Sequence, residues 1–337
     1  MKLTNLFSML GGLALFLYGM NMMSNGLEMA AGDKMKTILE KLTSNRILGV
    51  LVGALVTAII QSSSATTVMV VGFVNSGLMS LTSAVWVIMG ANIGTSITGW
   101  ILCLSYIEGS SGIAQLLSTA TISAVVAIVG IVFKMFFKKS TYKNVGDIML
   151  GFAILMVGMQ TMSGAVSPLK ENEHFVNMLT MFTNPFLGIL VGIAFTAVLQ
   201  SASASVGILQ ALSMTGSISF AAALPITMGI GVGAACPVLL SSIGTNKNGK
   251  RTALIYLLND LFGMIFWSIA FYSVNAFVHF PFMDMTMRPV TIALMNTVFR
   301  MATILLLIPF ISQIEKLVFK LVKDSPEDLE EQADFDL

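Results

Sequence analysis

Charged residues are scarce in this chain. Of its 337 residues, only 10% are Asp, Glu, Lys or Arg, whereas soluble globular proteins contain about 25%. So little charge excludes an ordinary soluble domain. The 18 basic and 17 acidic residues nearly balance, and no nucleic-acid partner is expected.

The residue types that build common catalytic and metal centres are also scarce. The two cysteines, Cys103 and Cys236, lie in apolar segments and indicate no disulfide framework. The two histidines, His174 and His279, lack the spacing of metal ligands. The sequence contains no Walker A motif, no dinucleotide fingerprint and no evident catalytic triad. The chain is therefore not expected to be an enzyme, and an ion gradient rather than ATP is its expected source of energy.

Apolar residues, in contrast, are abundant. They make up 55% of the chain, and its mean hydropathy is +0.86. Runs of about 20 apolar residues, the length that crosses the hydrocarbon core of a bilayer as a helix, recur from end to end. The composition therefore predicts an all-α polytopic membrane protein embedded in the lipid bilayer.

An internal repeat organises the chain. When the sequence is shifted by 139 positions, residues 45–65 align without a gap on residues 184–204, and 12 of the 21 pairs are identical. A composition this apolar would give about two identities by chance. The two halves are therefore predicted to be one supersecondary unit used twice.

Each repeat is predicted to hold three transmembrane helices and one helical hairpin. Residues 46–60 and 64–77 are each shorter than the roughly 20 residues of a span, and a polar break separates them, so they fit a re-entrant hairpin. The predicted segments are repeat 1 (1–139, with spans 6–27, 80–105 and 112–137 and hairpin 46–77), repeat 2 (140–279, with spans 146–166, 219–243 and 252–278 and hairpin 184–215), an extra C-terminal transmembrane helix (280–315) and an acidic cytoplasmic tail (316–337).

Three crossings per repeat is an odd number, so the second repeat is predicted to be inverted relative to the first. This topology places 14 of the 18 basic residues on one side of the membrane, and the positive-inside rule identifies that side as the cytoplasm. The N-terminus is then outside and the C-terminus inside. The two hairpins enter from opposite faces, and their tips are expected to meet near the midplane.

Each hairpin tip carries a run of polar residues, Gln61-Ser62-Ser63-Ser64 in the first repeat and Gln200-Ser201-Ala202-Ser203 in the second. Polar residues at membrane depth are costly and are usually functional. A helix that begins at each tip presents unpaired N–H groups and the positive end of its dipole, which attract anions. The tips are therefore expected to surround a small tetrahedral anion. The alternative is that Ser and Ala only let the helices pack closely.

A second polar element lies within the second predicted span. Residues 90–96 are expected to break that helix, because Gly90 and Gly94 loosen it. Asn92, Thr95 and Ser96 supply oxygen atoms suited to a cation. The alternative is a kink that serves packing. The equivalent segment of the second repeat keeps the glycines and loses the polar side chains, so a cation site here is expected in one half only.

Two charged residues are expected inside the membrane. Arg300 lies within the last predicted span and Asp260 within the sixth. Such charges face a partner or a polar cavity. Arg300 is expected either to bind an oxyanion through its guanidinium group or to form a salt bridge with Asp260, and the sequence leaves both readings open.

Over residues 5–315, these motifs resemble the type II sodium/phosphate cotransporter family. The resemblance rests on residues 61–67, 90–96 and 200–204. It implies inverted repeats with two re-entrant hairpins, inorganic phosphate as substrate and Na⁺ as the coupling ion. The phosphate-binding candidates are Gln61, Ser62, Ser63, Ser64, Gln200, Ser201 and Ser203, to which the chemistry of arginine adds Arg300. The sodium-binding candidates are Ser64, Thr66, Asn92, Thr95, Ser96, Ser203 and Ser205.

Three departures from the family pattern bear on these roles. Ala202 stands where the family has the middle serine of the second motif, and the second repeat lacks the Asn-Ile-Gly-Thr segment of residues 92–95. Asp260 occupies a position where relatives usually have a neutral residue. The number of sodium sites therefore stays open.

The predicted function is secondary active transport in a bacterial plasma membrane. Phosphate would move together with Na⁺ by alternating access, in a single chain or in a homodimer. One alternative keeps the fold and changes the chemistry, giving a phosphate exporter or a carrier of a related oxyanion such as arsenate. The other alternative is a phosphate-sensing membrane scaffold.

Overall fold

The described part of the chain is almost entirely helical. A computed structural model describes residues 3–42, 45–107, 119–166, 168, 177 and 181–323. Within these residues there is no β-strand, only an isolated antiparallel bridge between Ser219 and Thr286. The α-helices are α1 (Leu3–Leu42), α2 (Arg46–Ile60), α3 (Ser63–Asn75), α4 (Leu81–Cys103), α5 (Thr119–Phe136), α6 (Ser140–Val166), α7 (Pro185–Leu199), α8 (Ala202–Ser213), α9 (Phe220–Gly233), α10 (Ala235–Ser241), α11 (Lys247–Val278), α12 (Pro289–Leu307) and α13 (Ile311–Leu321).

Six helical segments of the described chain are long and apolar enough to cross a membrane. They correspond to six of the seven predicted spans, and the remaining one, predicted at 112–137, corresponds to the shorter apolar helix α5. Residues 112–118 of that span lie outside the described residues. The chain is therefore a multi-pass helical membrane protein. The six segments are Leu3–Leu27, Leu81–Tyr106, Ser140–Ala165, Phe220–Ser241, Lys247–Val278 and Pro289–Leu321.

The last of these segments is longer than predicted. A 3-10 turn joins α12 to α13, and α13 ends at Leu321, beyond the predicted boundary at residue 315. Ile311, Ile314 and Val318 recur at helical spacing and are buried, so apolar packing continues the helix into charged sequence. Residues 324–337 of the predicted tail lie outside the described residues.

Glycines bring α1 and α6 into backbone contact. A Cβ atom added at Gly158 would lie 2.7 Å from the carbonyl oxygen of Gly12, and one added at Gly151 would lie 2.7 Å from that of Gly19. Because the order of contacts along α6 is the reverse of that along α1, the two helices run antiparallel. The shift of 139 positions aligns Gly12 with Gly151 and Gly19 with Gly158, so α1 and α6 are equivalent helices of the two halves.

The two halves repeat a second glycine contact. In the first, α2 packs so closely on α4 that a Cβ atom at Gly90 would overlap the carbonyl oxygen of Val50. In the second, α7 packs on α9, and a Cβ atom at Gly229 would overlap the carbonyl oxygen of Ile189. The shift of 139 positions relates Gly90 to Gly229 and Val50 to Ile189. The two halves therefore share this packing contact as well as the sequence.

The predicted break at residues 90–96 is wrong. Helix α4 is continuous through these residues, because its glycines admit the neighbouring helix and do not loosen their own. The break in this element lies in the second half, at Ala234 between α9 and α10. Pro237 accounts for it, since proline has no N–H to donate to the carbonyl of Gly233 and its ring clashes with that carbonyl.

Helix α4 lies at the centre of the described structure. It packs against α2, α3, α8, α11 and α12, and the segment from Ala84 to Asn92 is buried throughout. Since α3 and α8 are the helices that begin at the two polar tips, α4 is the element that both tips share.

Candidate functional site

The first tip is a sharp turn between two helices. Helix α2 ends at Ile60, and the C-cap residue Gln61 adopts the left-handed conformation with φ 61° and ψ 20°. The Gln61 N–H donates to the Thr57 carbonyl at 2.7 Å. The next residue, Ser62, is extended and caps α3, its Oγ accepting a hydrogen bond from the Ala65 N–H at 3.1 Å. Serine is among the best helix N-caps, which is why the new helix begins here.

The second tip repeats this construction. Gln200 is left-handed, with φ 54° and ψ 24°, and Ser201 Oγ accepts a hydrogen bond from the Ala204 N–H at 3.2 Å. Among the described residues, the only non-glycine residues with positive φ are Gln61, Gln200 and His279. A left-handed residue with a Cβ atom is strained, and such strain concentrates at functional sites. Both tips therefore share a strained turn at glutamine.

A pair of hydroxyl groups closes each turn. In the first tip, Thr57 Oγ1 donates to Thr66 Oγ1 at 3.0 Å, and Thr66 donates to the Ser62 carbonyl at 3.0 Å. In the second, Thr196 Oγ1 donates to Ser205 Oγ at 2.8 Å, which donates in turn to the backbone of its own tip. The sodium candidates Thr66 and Ser205 thus hold the turns together, and only their remaining lone pairs are free for a cation.

Each tip presents free backbone donors. The first intrahelical bond of α3 runs from the Thr66 N–H to the Ser62 carbonyl, so the N–H groups of Ser63 and Ser64 precede it and have no partner within the helix. The equivalent groups of α8 belong to Ala202 and Ser203. Such helix ends carry a partial positive charge and bind anions.

The first tip is fixed against the second half of the chain. Ser63 Oγ and the hydroxyl of Tyr256 on α11 are 3.3 Å apart, and Ser64 Oγ donates to the carbonyl of Ala234 at 3.5 Å. Ser63 and Tyr256 are both buried. Sequence analysis does not select Tyr256. The available signal is its phenolic hydroxyl, because such a group in an apolar span needs a hydrogen-bond partner.

Arg300 and Asp260 do not form the salt bridge that the sequence left open. Asn92 lies between them, donating through Nδ2 to Asp260 Oδ1 at 2.9 Å and accepting at Oδ1 from Arg300 Nη1 at 3.4 Å. Arg300 Nε also donates to Asn296 Oδ1 at 3.1 Å. Asn92, Asp260 and Arg300 are 2%, 6% and 3% exposed. The structure thus combines α4, α11 and α12 in a buried network, and Asn92 is its central residue.

Several buried polar atoms around these groups have no hydrogen-bond partner. An unpartnered buried group costs about 1–3 kcal/mol and calls for an explanation. A polar ligand that completes the set would supply it. These atoms include Gln61 Oε1, Ser96 Oγ, both polar atoms of Asn259, Asp260 Oδ2 and Asn296 Nδ2.

The candidate residues therefore form two groups. The first tip connects to the buried network through α11, because Tyr256 and Asp260 are four residues apart and share one face of that helix. The second tip packs on α4, α6 and α12 through α8, and among the described residues no hydrogen bond joins it to the first tip or to the network. Ser203 is buried, whereas Gln200 is exposed.

The sequence profile of the Na⁺/Pi-cotransporter family matches the chain twice, at residues 15–164 and at residues 154–292. The chain belongs to the Na⁺/Pi-cotransporter family. Each match contains one of the two tips, and Arg300 lies beyond both. The resemblance seen in the sequence is thus confirmed, and the chain is a member of a transporter family and not of an enzyme family.

Named relatives of this cotransporter-family chain fall into three kinds. YjbB of Salmonella typhimurium, provisionally named an inorganic phosphate export protein, is 25% identical over 96% of the chain and 56% of its own length. The uncharacterised YqeW of Bacillus subtilis is 24% identical over 91% of the chain and 95% of its own length. The sodium-dependent phosphate transport protein 2A of Rattus norvegicus is 41% identical over 31% of the chain and 16% of its own length.

The chain thus spans just over half of the length of the first of these curated relatives. No solved structure matches it.

Proposed function

We propose that the chain is a sodium-coupled phosphate symporter that holds phosphate between the two tips. The observation that carries the proposal is the duplicated turn, in which a strained glutamine precedes a serine-capped helix on both sides. Two such helix ends supply backbone N–H donors, serine hydroxyls and partial positive charge to one oxyanion. Membership of the Na⁺/Pi-cotransporter family supports phosphate as that anion.

The residues proposed to bind phosphate follow from this geometry. In the first tip they are the amide of Gln61, the hydroxyls of Ser62, Ser63 and Ser64 and the free N–H groups of the last two. In the second tip they are Gln200, Ser201 and Ser203. Arg300 is proposed to reach phosphate from the buried network, because a guanidinium group fits an oxyanion and its bond to Asn92, at 3.4 Å, is long.

We propose that inverted repeats with re-entrant hairpins place this site near the midplane of the membrane. The antiparallel packing of the equivalent helices α1 and α6 supports inversion, because equivalent elements of a parallel repeat would point the same way. Helices of 15, 13, 15 and 12 residues on the two sides of the tips are too short to span and support hairpins that enter and return. We place the N-terminus outside a bacterial plasma membrane and the C-terminus in the cytoplasm.

Sodium is proposed to bind where buried oxygen atoms lack partners. Ser96 Oγ is one such atom. Asn92, Ser64 and Ser203 are proposed to add further oxygen atoms through lone pairs that their hydrogen bonds leave free. Thr95 is proposed to take part in the same way, since its hydroxyl donates to the Ala91 carbonyl at 3.0 Å. Inward movement of each Na⁺ is favoured by about 2.3 kcal/mol per 100 mV of inside-negative potential. The cycle is proposed for one chain.

Transport by the purified chain in liposomes tests this proposal. Uptake of radiolabelled phosphate should be accelerated by an inward Na⁺ gradient over an equal K⁺ gradient, with protein-free liposomes as the control. Equal uptake rates under the Na⁺ and K⁺ gradients would contradict sodium symport. The absence of phosphate-specific uptake would contradict phosphate as the substrate.

An exporter is the second candidate, because the name of YjbB assigns that relative to phosphate export. The same liposomes loaded with labelled phosphate separate the two. Release that exceeds uptake under every Na⁺ gradient favours export, whereas gradient-driven accumulation favours the symporter.

A further inference from the structure

An apolar groove of about 490 Å³ lies on the protein between α9, α11 and α12. Its walls are Leu, Met, Phe and Trp side chains almost throughout, and Thr291 alone among the described residues that line it carries a hydroxyl group. None of its lining residues belongs to a tip or to the network around Asn92. The groove is therefore separate from the proposed transport site, and a ligand bound in it is independent of the proposed function.

The length of the groove matches one leaflet of a bilayer. Along α12 its lining runs from Thr291 to Ala302 on one face of the helix, which is about 16 Å at 1.5 Å per residue. The hydrocarbon core of a bilayer is about 30 Å thick, so one leaflet accounts for about half of that. A transmembrane helix of another protein would need roughly twice the length that the groove offers.

A free positive charge lies at one end of the groove. Arg288 immediately precedes α12 and is exposed, and its backbone N–H donates to the Thr291 hydroxyl at 2.7 Å. The other charged residue nearby, Asp284, is also exposed, and no ion pair joins the two within the described residues. A guanidinium group in this position suits a phosphate group at the membrane surface.

We propose that the groove binds a phospholipid, with one acyl chain along α12 and the headgroup phosphate beside Arg288. The apolar lining, the single-leaflet length and the charge at one end together select this ligand. A second copy of the chain would bury the groove without needing either the length match or the charge.

Fluorescence of Trp267, which lines the groove, can report the acyl chain. A variant carrying Trp86→Phe and Trp100→Phe leaves Trp267 as the only tryptophan. Reconstituted with phosphatidylglycerol brominated on its acyl chains, it should lose fluorescence relative to the unbrominated lipid. Ala302→Phe, which fills the inner end of the groove, should prevent most of that loss.

The matched control is Ala276→Phe, because Ala276 is exposed and, nine residues after Trp267, lies on the opposite face of α11. Equal quenching in the two Phe variants would overturn the proposal. Native mass spectrometry of the wild-type chain should show retained phospholipid, and Arg288→Gln should lower its retention. A lipid-free dimer would overturn the proposal in favour of a second copy, and lipid retention unchanged by both Arg288→Gln and Ala302→Phe would also overturn it.

Discussion

The two tips have nearly the same backbone and different surroundings. Both turns place glutamine in the left-handed region and cap the next helix with serine, at 3.1 Å and 3.2 Å. Yet Gln61 is 3% exposed, with its amide nitrogen bonded to the Ala58 carbonyl, whereas Gln200 is exposed. The local sequence determines the backbone conformation of the turn, and the neighbouring helices determine how deeply its glutamine is buried.

The shift of 139 positions shows where this difference comes from. Asn92 of the first half corresponds to Gly231 of the second, Thr95 corresponds to Ala234, and Ser63 to Ala202. In every one of these pairs the first half has the polar side chain. The buried polar network consequently forms beside the first tip, and the second tip keeps the turn without an equivalent network. Duplication preserved the scaffold, while the side chains that distinguish one tip from the other diverged.

The largest effect is expected from Asn92→Ala. The change removes the amide that separates the buried charges of Asp260 and Arg300, and disrupting a buried charge network destabilises by about 3 kcal/mol or more. Phosphate uptake should be lost, and thermal unfolding in detergent should shift to lower temperature. The control is Gly231→Ala at the equivalent position, where the added Cβ would lie 3.5 Å from Asp260 Cγ, an ordinary contact. If both variants had the phosphate uptake and the thermal stability of the wild type, the network would not be a functional difference between the two tips.

A smaller effect is expected at the contact between the first tip and α11. Ser63→Ala and Tyr256→Phe each remove the same 3.3 Å hydrogen bond, so each should cost about 1 kcal/mol of stability. The double variant should cost less than the sum, because the two changes remove one interaction. Tyr272→Phe is the matched control, since the Tyr272 hydroxyl is buried without a partner. Fully additive effects of Ser63→Ala and Tyr256→Phe in the unfolding measurement would contradict the contact.

Sequence reasoning succeeded where the structure depends on neighbouring residues. The helix ends at Ile60 and Leu199 and the capping serines follow from local chemistry, and a turn between two short helices lies at both predicted positions. It fails at residues 90–96, where the glycines are expected to break a helix. The actual role of Gly90 is contact with the carbonyl of Val50, and a sequence does not show which backbone lies opposite a glycine.

The hydrogen-bond partners of buried side chains could not be predicted from the sequence either. The sequence leaves a salt bridge between Arg300 and Asp260 open, but it does not indicate that Asn92 lies between them. Tyr256 was missed, since one tyrosine in a long apolar helix has no pattern around it. Contacts between helices more than 150 residues apart in the chain, such as those of Asn92 with Asp260 and Arg300, need the fold to be known.

Substitution of the two tip glutamines by glycine separates the role of the backbone turn from that of the side chain. Gln200→Gly keeps the left-handed turn and relieves its strain, so stability should rise by about 1 kcal/mol. Gln61→Gly should gain less, because it also loses the bond to the Ala58 carbonyl. Phosphate uptake should fall in both. His279→Gly relieves the same kind of strain at a residue away from the tips and should leave uptake unchanged. Unchanged uptake in both Gln variants would show that the turn alone matters.

The smallest difference between the halves is expected at the capping serines. Ser62→Ala and Ser201→Ala each remove one N-cap bond, worth about 1 kcal/mol, and since the caps have nearly equal geometry their stability losses should be equal. Both variants should still fold and express, and both should transport phosphate more slowly if the hydroxyls also face the substrate. Ser80→Ala removes a comparable cap from α4, in which Ser80 Oγ accepts from the Ser83 N–H at 3.1 Å, and should lower stability without slowing uptake. Wild-type uptake kinetics in both tip variants would show that the tips serve only packing. A loss confined to one of them would show that the two ends of the proposed phosphate site are not equivalent.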